Sequence, residues 1–231
     1  SGMGSSSSFT VGLLHALYAL RGEMIDKNRL AKEAMHVEQN LLSENVGCQD
    51  QIMAAFGGFK HVQFHTNGSF SASEVILKPE RLTELNDHLM LFFTGQQRVA
   101  SHIAAEQIKN APNRVSELRT MHQMVDEAMN ILGGSSSILD FGKLLHESWQ
   151  YKRKLSSKIT NSEINQIYEA GMKAGAVGGK LLGAGGGGFV LLFVPPQDQL
   201  RVTMALKNLL HVKFRFENLG SNIIFYRRQA A

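Results

Sequence analysis

Ser1-Gly2-Met3-Gly4-Ser5-Ser6-Ser7-Ser8 runs straight into Phe9-Thr10-Val11-Gly12-Leu13-Leu14, and this junction sets the terms for the rest of the chain. Glycines at 2 and 4 let the backbone adopt left-handed conformations and approach a ligand closely. The serines open an apolar-periodic stretch over residues 9–20, so their N–H groups would stand at a helix N-terminus. Unsatisfied donors and the helix dipole both favour negative charge there, which makes the stretch a cradle for an anion such as phosphate. Taken alone, the same residues read equally well as a Gly/Ser linker or tag remnant ahead of an ordinary helix. A phosphate loop of this kind joins a strand to a helix, whereas here it stands at Ser1, so a preceding segment is expected.

With 231 residues and 43% hydrophobic content, the chain can build one large domain or two small ones. The longest uninterrupted apolar run, 189–194, is far short of a membrane span, and no basic-then-apolar leader precedes the first helix. The expectation is a soluble, cytoplasmic protein without a membrane partner. Cys48 is the single cysteine, which excludes an intramolecular disulfide framework and a multi-cysteine zinc site. The net charge of +4 is spread along the chain, which argues against a nucleic-acid footprint and for small anionic ligands.

Downstream of the serines, Val11, Leu14, Leu17 and Tyr18 recur at three- and four-residue spacings and predict a buried helical stripe that ends at Arg21-Gly22. Asp26 is a plausible cap for a second helix reaching residue 42. At roughly 100° per residue, Leu30, Ala31, Ala34, Met35, Val37, Leu41 and Leu42 share one broad arc, and Glu38 falls in its middle. A carboxylate there is costly to bury unless a cation, a metal or several donors pair with it; a wet helix edge would also accommodate it. The polar residues 44–51 lead into a short helix over 52–56 that Gly57-Gly58 stops. Asp50, at its start, reads either as an N-cap or as a general base open to a substrate hydroxyl. Cys48 reads as a small packed side chain, since no His nearby in sequence suggests activation.

Residues 59–77 predict a hairpin around Asn67-Gly68, and 78–87 read as a connection, with a domain boundary near 85. A strand over 88–93 and a helix from Arg98 to 109 follow, then helices over 114–132, 138–155 and 162–174. Lys152-Arg153-Lys154 form a solvated helix face or hold a substrate phosphate. The densest glycine cluster occupies 178–188. Gly183, Gly185 and Gly188 match G-x-G-x-x-G by letter, but the cluster opens the strand 189–194 where a dinucleotide fingerprint would open a helix. No Gly-Lys-Ser/Thr ending is present. A wall against a ligand or another loop is the better reading. A helix over 199–209 and strands over 212–216 and 223–226 complete the expected elements.

Together, Gly2-Met3-Gly4-Ser5-Ser6-Ser7, the helical Glu38, Gly47-Cys48-Gln49-Asp50 and the segment 180–188 resemble, in order, the second motif, the acidic pair and the third motif of the GHMP small-molecule kinases. Within that family, the stretch 5–14, Phe92-Phe93-Thr94-Gly95 with Arg98, and His146-Glu147-Ser148-Trp149 look most like the bacterial D-glycero-D-manno-heptose 7-phosphate kinases. The resemblance implies an ATP-dependent transfer to the anomeric hydroxyl of that small phosphorylated sugar, with fucose or galactose as alternative acceptors and an inactive fragment as the contrary reading. It assigns Gly2, Gly4, Ser5, Ser6 and Ser7 to the ATP phosphates and Glu38, with Ser5 nearby, to Mg²⁺. Asp50 becomes the catalytic carboxylate, and Gly185, Gly186 and Gly187 the support of the nucleotide site. Arg98, Lys152 and Lys154 are candidates for the substrate's own phosphate. The implied fold is α/β in two layers (α+β). Residues 1–85 would form part of a domain like the second domain of ribosomal protein S5, and 86–231 a ferredoxin-like domain with added helices. Family members carry roughly another hundred residues at the front. Without them an apolar sheet edge and the first helix would be exposed, favouring poor solubility or pairing with another chain, a homodimer included.

Overall fold

The computed structural model describes residues 2–96 and 100–227. They fall into two compact units, one built from Gly4–Val75 with the chain from Phe216 onward, the other from Ile76–Arg215 with Gly2 and Met3. The division by contacts therefore lies ten residues before the boundary expected near 85, and the tail returns to the first unit. The reason is the segment expected to be a connection. Pro79–Asp87 is a helix with proline in its first turn, and Leu85 is buried. Arg81 donates to the carbonyl oxygens of Ile131 and Ser136, which anchors this helix in the second unit.

The first unit contains α1 (Ser5–Leu20), α2 (Lys27–His36), α3 (Gln49–Phe56) and the hairpin β1 (Lys60–Phe64) and β2 (Phe70–Glu74). Asp26 caps α2 by accepting from the Arg29 N–H, as expected from its position. The hairpin closes at Asn67-Gly68, whose Asn67 Oδ1 accepts from Ser69 N–H. Its core gathers Val11, Leu30, Ala31, Ala34, Ile52, Ala55 and Phe70. Only Val11 of the expected α1 stripe is fully buried; Leu14 and Tyr18 are half-buried and Leu17 is 46% exposed. Phe9, Leu13 and Leu20 are exposed as well. α1 is apolar around most of its circumference, so periodicity does not distinguish the face that packs on α2 and α3.

Two further expectations fail at the ends of this unit. Leu41 and Leu42 are exposed, because Val37–Leu41 forms a π-helical turn. Its extra residue rotates the downstream side chains by about 100° away from the arc. Residues 223–226 form no strand. The tail is instead tied by Gly58 N–H to Glu217 O, Ser221 N–H to Ala54 O, and the stacked rings of Phe59 and Phe216.

The second unit holds α4 (Pro79–Asp87), β3 (Leu89–Phe93), α5 (Ala100–Asn110), α6 (Val115–Gly133), α7 (Ile138–Lys154), α8 (Ser162–Lys173), β4 (Gly178–Leu181), β5 (Phe189–Phe193), α9 (Gln199–Ala205) and β6 (Leu210–Val212). The antiparallel sheet has the order β4-β5-β3-β6, the ferredoxin-like arrangement in which the first strand lies between the hairpin β4-β5 and the last strand. Met90, Phe92, Val190 and Leu192 share one sheet face and pack with Ile103, Trp149, Ile164, Ile167 and Val202 from the helices. α9 is shorter than expected, and the last strand lies at 210–212 where it can pair with β3; 213–216 has no such partner strand.

β4 was not expected, since glycine is a poor strand former. Gly178 and Gly179 are nonetheless buried, and a Cβ on Gly178 would overlap the Gly142 carbonyl oxygen of α7. The glycine thus permits the close packing of α7 on β4. Gly178→Ala is expected to cost about 3 kcal/mol, at the upper end for overpacking, with a lower urea midpoint at unchanged slope as the check.

Candidate active site

The first unit brings one end of the serine loop onto Asp50. Gly4 is the N-cap of α1 with φ 63°, and as a glycine it has no side chain to cap the helix. A Cβ placed on Gly4 would stand 3.1 Å from both Cβ and Cγ of Asp50. A side chain there would push on the carboxylate and also strain the left-handed backbone. Asp50 itself is the second residue of α3 and exposed; the N-cap is Cys48, whose side chain makes no cap bond. The N-cap reading of Asp50 is therefore replaced by that of a carboxylate standing at the loop. Cys48 is half-buried in the core and accepts from Gln39 Nε2 at 3.3 Å, in keeping with a packed side chain.

Ser5 and Ser6 are exposed in the first turn of α1, which contains no acidic residue. Ser7 is buried and points the other way, donating its hydroxyl to Glu38 Oε2 at 2.8 Å. Glu38 is only 2% exposed and lies on the π-helical turn. Such turns insert one residue into a helix and are often found at functional sites, where they re-aim a side chain. Its second donor is the Gln51 side-chain amide, again onto Oε2. Both donors are neutral. The expected alternatives of a wet edge or a basic partner are thus not what the structure has.

This donor set suits a hard cation. Magnesium binds through one or two carboxylates together with phosphate oxygens and waters, not a protein cage. A carboxylate held by neutral donors beside a serine-rich helix start fits that pattern. Among the described residues no cluster of three or more His, Cys, Asp or Glu side chains could hold a metal, so any ion here would need ligands from outside the protein.

In the second unit, residues 182–188 join β4 to β5. Gly2 lies against this loop: a Cβ on Gly183 would stand 2.8 Å from the Gly2 Cα. Gly185 packs on the Ile159 backbone, Gly186 N–H donates to Ile159 O, and Gly187 packs on the Gln96 carbonyl. Lys152 donates to Gly183 O at 2.7 Å, while the Lys154 ammonium lies 4.7 Å from the Tyr151 ring centre. Burial holds the Lys180 ammonium below the ordinary lysine range. Arg98 lies outside the described residues.

Two participants escaped the sequence reading. Gln51 looked like part of a polar turn, yet it is wholly buried on α3. One helical step from Asp50 turns it about 100° toward the core, and its place four residues before Ala55 on the apolar side of α3 was the available signal. Gly183, not Gly185, Gly186 or Gly187, meets Gly2, and nothing local marks that contact.

Residues 1–58 match the GHMP kinases N terminal domain and residues 125–211 match the GHMP kinases C terminal family. A D-glycero-alpha-D-manno-heptose 7-phosphate kinase of Campylobacter jejuni is 32% identical over 210 residues, covering 90% of this chain and 61% of that protein. An L-fucokinase/L-fucose-1-P guanylyltransferase of Bacteroides fragilis is 29% identical over 218 residues, 89% of this chain and 22% of that protein. Among solved structures, a D-glycero-D-manno-heptose 1-phosphate kinase from Bacteroides thetaiotaomicron superposes with a TM-score of 0.73 at 25% identity, covering 95% of this chain and 62% of that one. The chain thus spans about three-fifths of the length of the heptose kinases it matches. No helix among the described residues is long and apolar enough to cross a membrane.

Proposed function

The chain belongs to the GHMP kinase family, and on that premise we propose that it transfers the terminal phosphoryl group of ATP to the anomeric hydroxyl of D-glycero-D-manno-heptose 7-phosphate. The observation that carries this reading is the contact of Gly4 with Asp50. It puts a carboxylate at the N-terminus of a helix whose N-cap is a glycine and whose first turn holds no acidic residue.

Phosphoryl transfer asks a protein mainly for positioning and charge stabilisation. Gly4, Ser5 and Ser6 supply backbone donors and hydroxyls at the positive end of α1, where phosphate oxygens are favoured. Asp50, exposed at the start of α3, takes or orients the proton of the attacking hydroxyl. Glu38, with Ser5, would hold Mg²⁺, which when bound neutralises charge on the phosphates. Ser7 keeps Glu38 in place by its hydroxyl, in addition to the phosphate role its motif assigns. Gly2 and Gly185, Gly186 and Gly187 of the second unit are assigned to the nucleotide through the family motif. Arg98, Lys152 and Lys154 are the candidates for the sugar's own phosphate, with one Lys152 donor spent on Gly183.

The test is phosphorus NMR of this chain with Mg-ATP and D-glycero-D-manno-heptose 7-phosphate, with L-fucose and D-galactose in parallel. A new anomeric phosphate signal with the heptose alone is expected. A signal only with fucose or galactose keeps the kinase and moves the acceptor, in line with the fucokinase and galactokinase relatives. No signal with any acceptor overturns the kinase reading for this chain.

A further inference from the structure

Gln51 is a wholly buried side-chain amide against the candidate metal carboxylate, and nothing in the family motif assigned it a role. It is 0% exposed, sits directly after Asp50 on α3, and donates through Nε2 to Glu38 Oε2. An amide oxygen turned to an ionised carboxylate would set two acceptors together, so the NH₂ group faces Glu38. The amide oxygen Oε1 is then left buried without a hydrogen-bond donor among the described residues. Buried acceptors are paired in nearly all native structures, and an unpaired one costs about 1–3 kcal/mol. A site that retains one beside a buried carboxylate has more acceptors than donors. A hydrated divalent cation, whose bound waters are strong donors, corrects that imbalance.

We propose that Gln51 is a positioning residue for the divalent cation: its amide N–H fixes the Glu38 carboxylate, and its amide oxygen accepts from the cation's water shell. Because Asp50 and Gln51 are consecutive on one rigid helix, the bond to Glu38 also sets where α3 begins and so where Asp50 stands. Ser7 and Gln51 converge on the same carboxylate oxygen from α1 and α3, so the π-helical turn carrying Glu38 is held from two sides. Partners of this kind orient metal ligands, and their loss typically weakens metal binding by about 10- to 100-fold. This inference rests on the reading of Glu38 as the metal carboxylate.

The test is a Mn²⁺ electron paramagnetic resonance titration of the chain with saturating ADP, comparing Gln51→Met, Gln51→Asn and Glu38→Gln. ADP affinity in EDTA and the melting temperature are measured for each. Met keeps the length and apolar volume without the amide; Asn keeps an amide but draws it back by one methylene, and serves if the Met variant does not fold. Expected are Mn²⁺ affinities about 10- to 100-fold weaker in both Gln51 variants, with metal-free ADP binding within about twofold of the parent. A lowered melting temperature with unchanged Mn²⁺ affinity makes Gln51 structural only and overturns the inference. If Glu38→Gln weakens Mn²⁺ binding and the Gln51 variants do not, the inference alone fails. If Glu38→Gln leaves Mn²⁺ binding intact, the metal assignment of Glu38 fails, and the inference with it.

Discussion

On the proposed function, Asp50→Asn is expected to lower turnover by about 10³-fold, the middle of the range for a lost general base, with Mg-ATP affinity within about twofold of the parent. The asymmetry follows from where Asp50 stands. Asparagine has nearly the same volume, so the contact with Gly4 and the loop conformation it supports survive. Asp50 is exposed in the first turn of α3 and lies outside the apolar core. What is lost is a proton acceptor and one negative charge. Turnover by quench flow and nucleotide affinity by calorimetry separate the two effects. Equal loss of both would assign Asp50 to nucleotide binding and remove it from the proton-transfer role.

On the same reading, Glu38→Gln is expected to weaken magnesium-dependent nucleotide binding by about 100-fold, the scale set by lost orientation at a metal site, and to leave the melting temperature equal or higher. Glu38 is buried against two neutral donors, with no cationic side chain paired to it among the described residues to offset its desolvation. Replacing a buried charge by a neutral group of the same shape is often neutral or stabilising. The glutamine oxygen can still accept from Ser7 and from Gln51. Calorimetric titration of ADP with and without Mg²⁺, alongside thermal unfolding, reads both quantities. A large drop in melting temperature with unchanged metal dependence would make Glu38 a structural anchor.

The order of elements was largely legible because its signals are local. Asp26 before an apolar periodicity marks a helix start, and Asn67-Gly68 between alternating residues marks a hairpin. α6, α7 and α8 fall within a residue or so of the spans expected from their periodicity. The failures are elements whose identity depends on a neighbour. β4 exists because Gly178 can meet α7 and pair with Phe193. α4 is held by the Arg81 bonds to carbonyls about fifty residues away. Residues 223–226 have strand-like composition, but the observed tail is tied by bonds of other kinds.

The same distinction governs the site. Glycines followed by serines at a helix start specify an anion-favouring backbone whatever surrounds them, since positive φ and free helix N–H groups are properties of a few consecutive residues. A carboxylate on an apolar arc likewise announces itself as needing a partner. Which partner it finds is not encoded in its own segment. That Glu38 meets Ser7 and Gln51, that Gly4 lies on Asp50, and that Val11 alone of the α1 stripe is buried were decided by how three helices pack. Sequence alone thus determined the local chemistry, because backbone preference and charge are carried residue by residue. Only the tertiary structure decided the pairings, because they bring together side chains 13 and 31 positions apart in the chain.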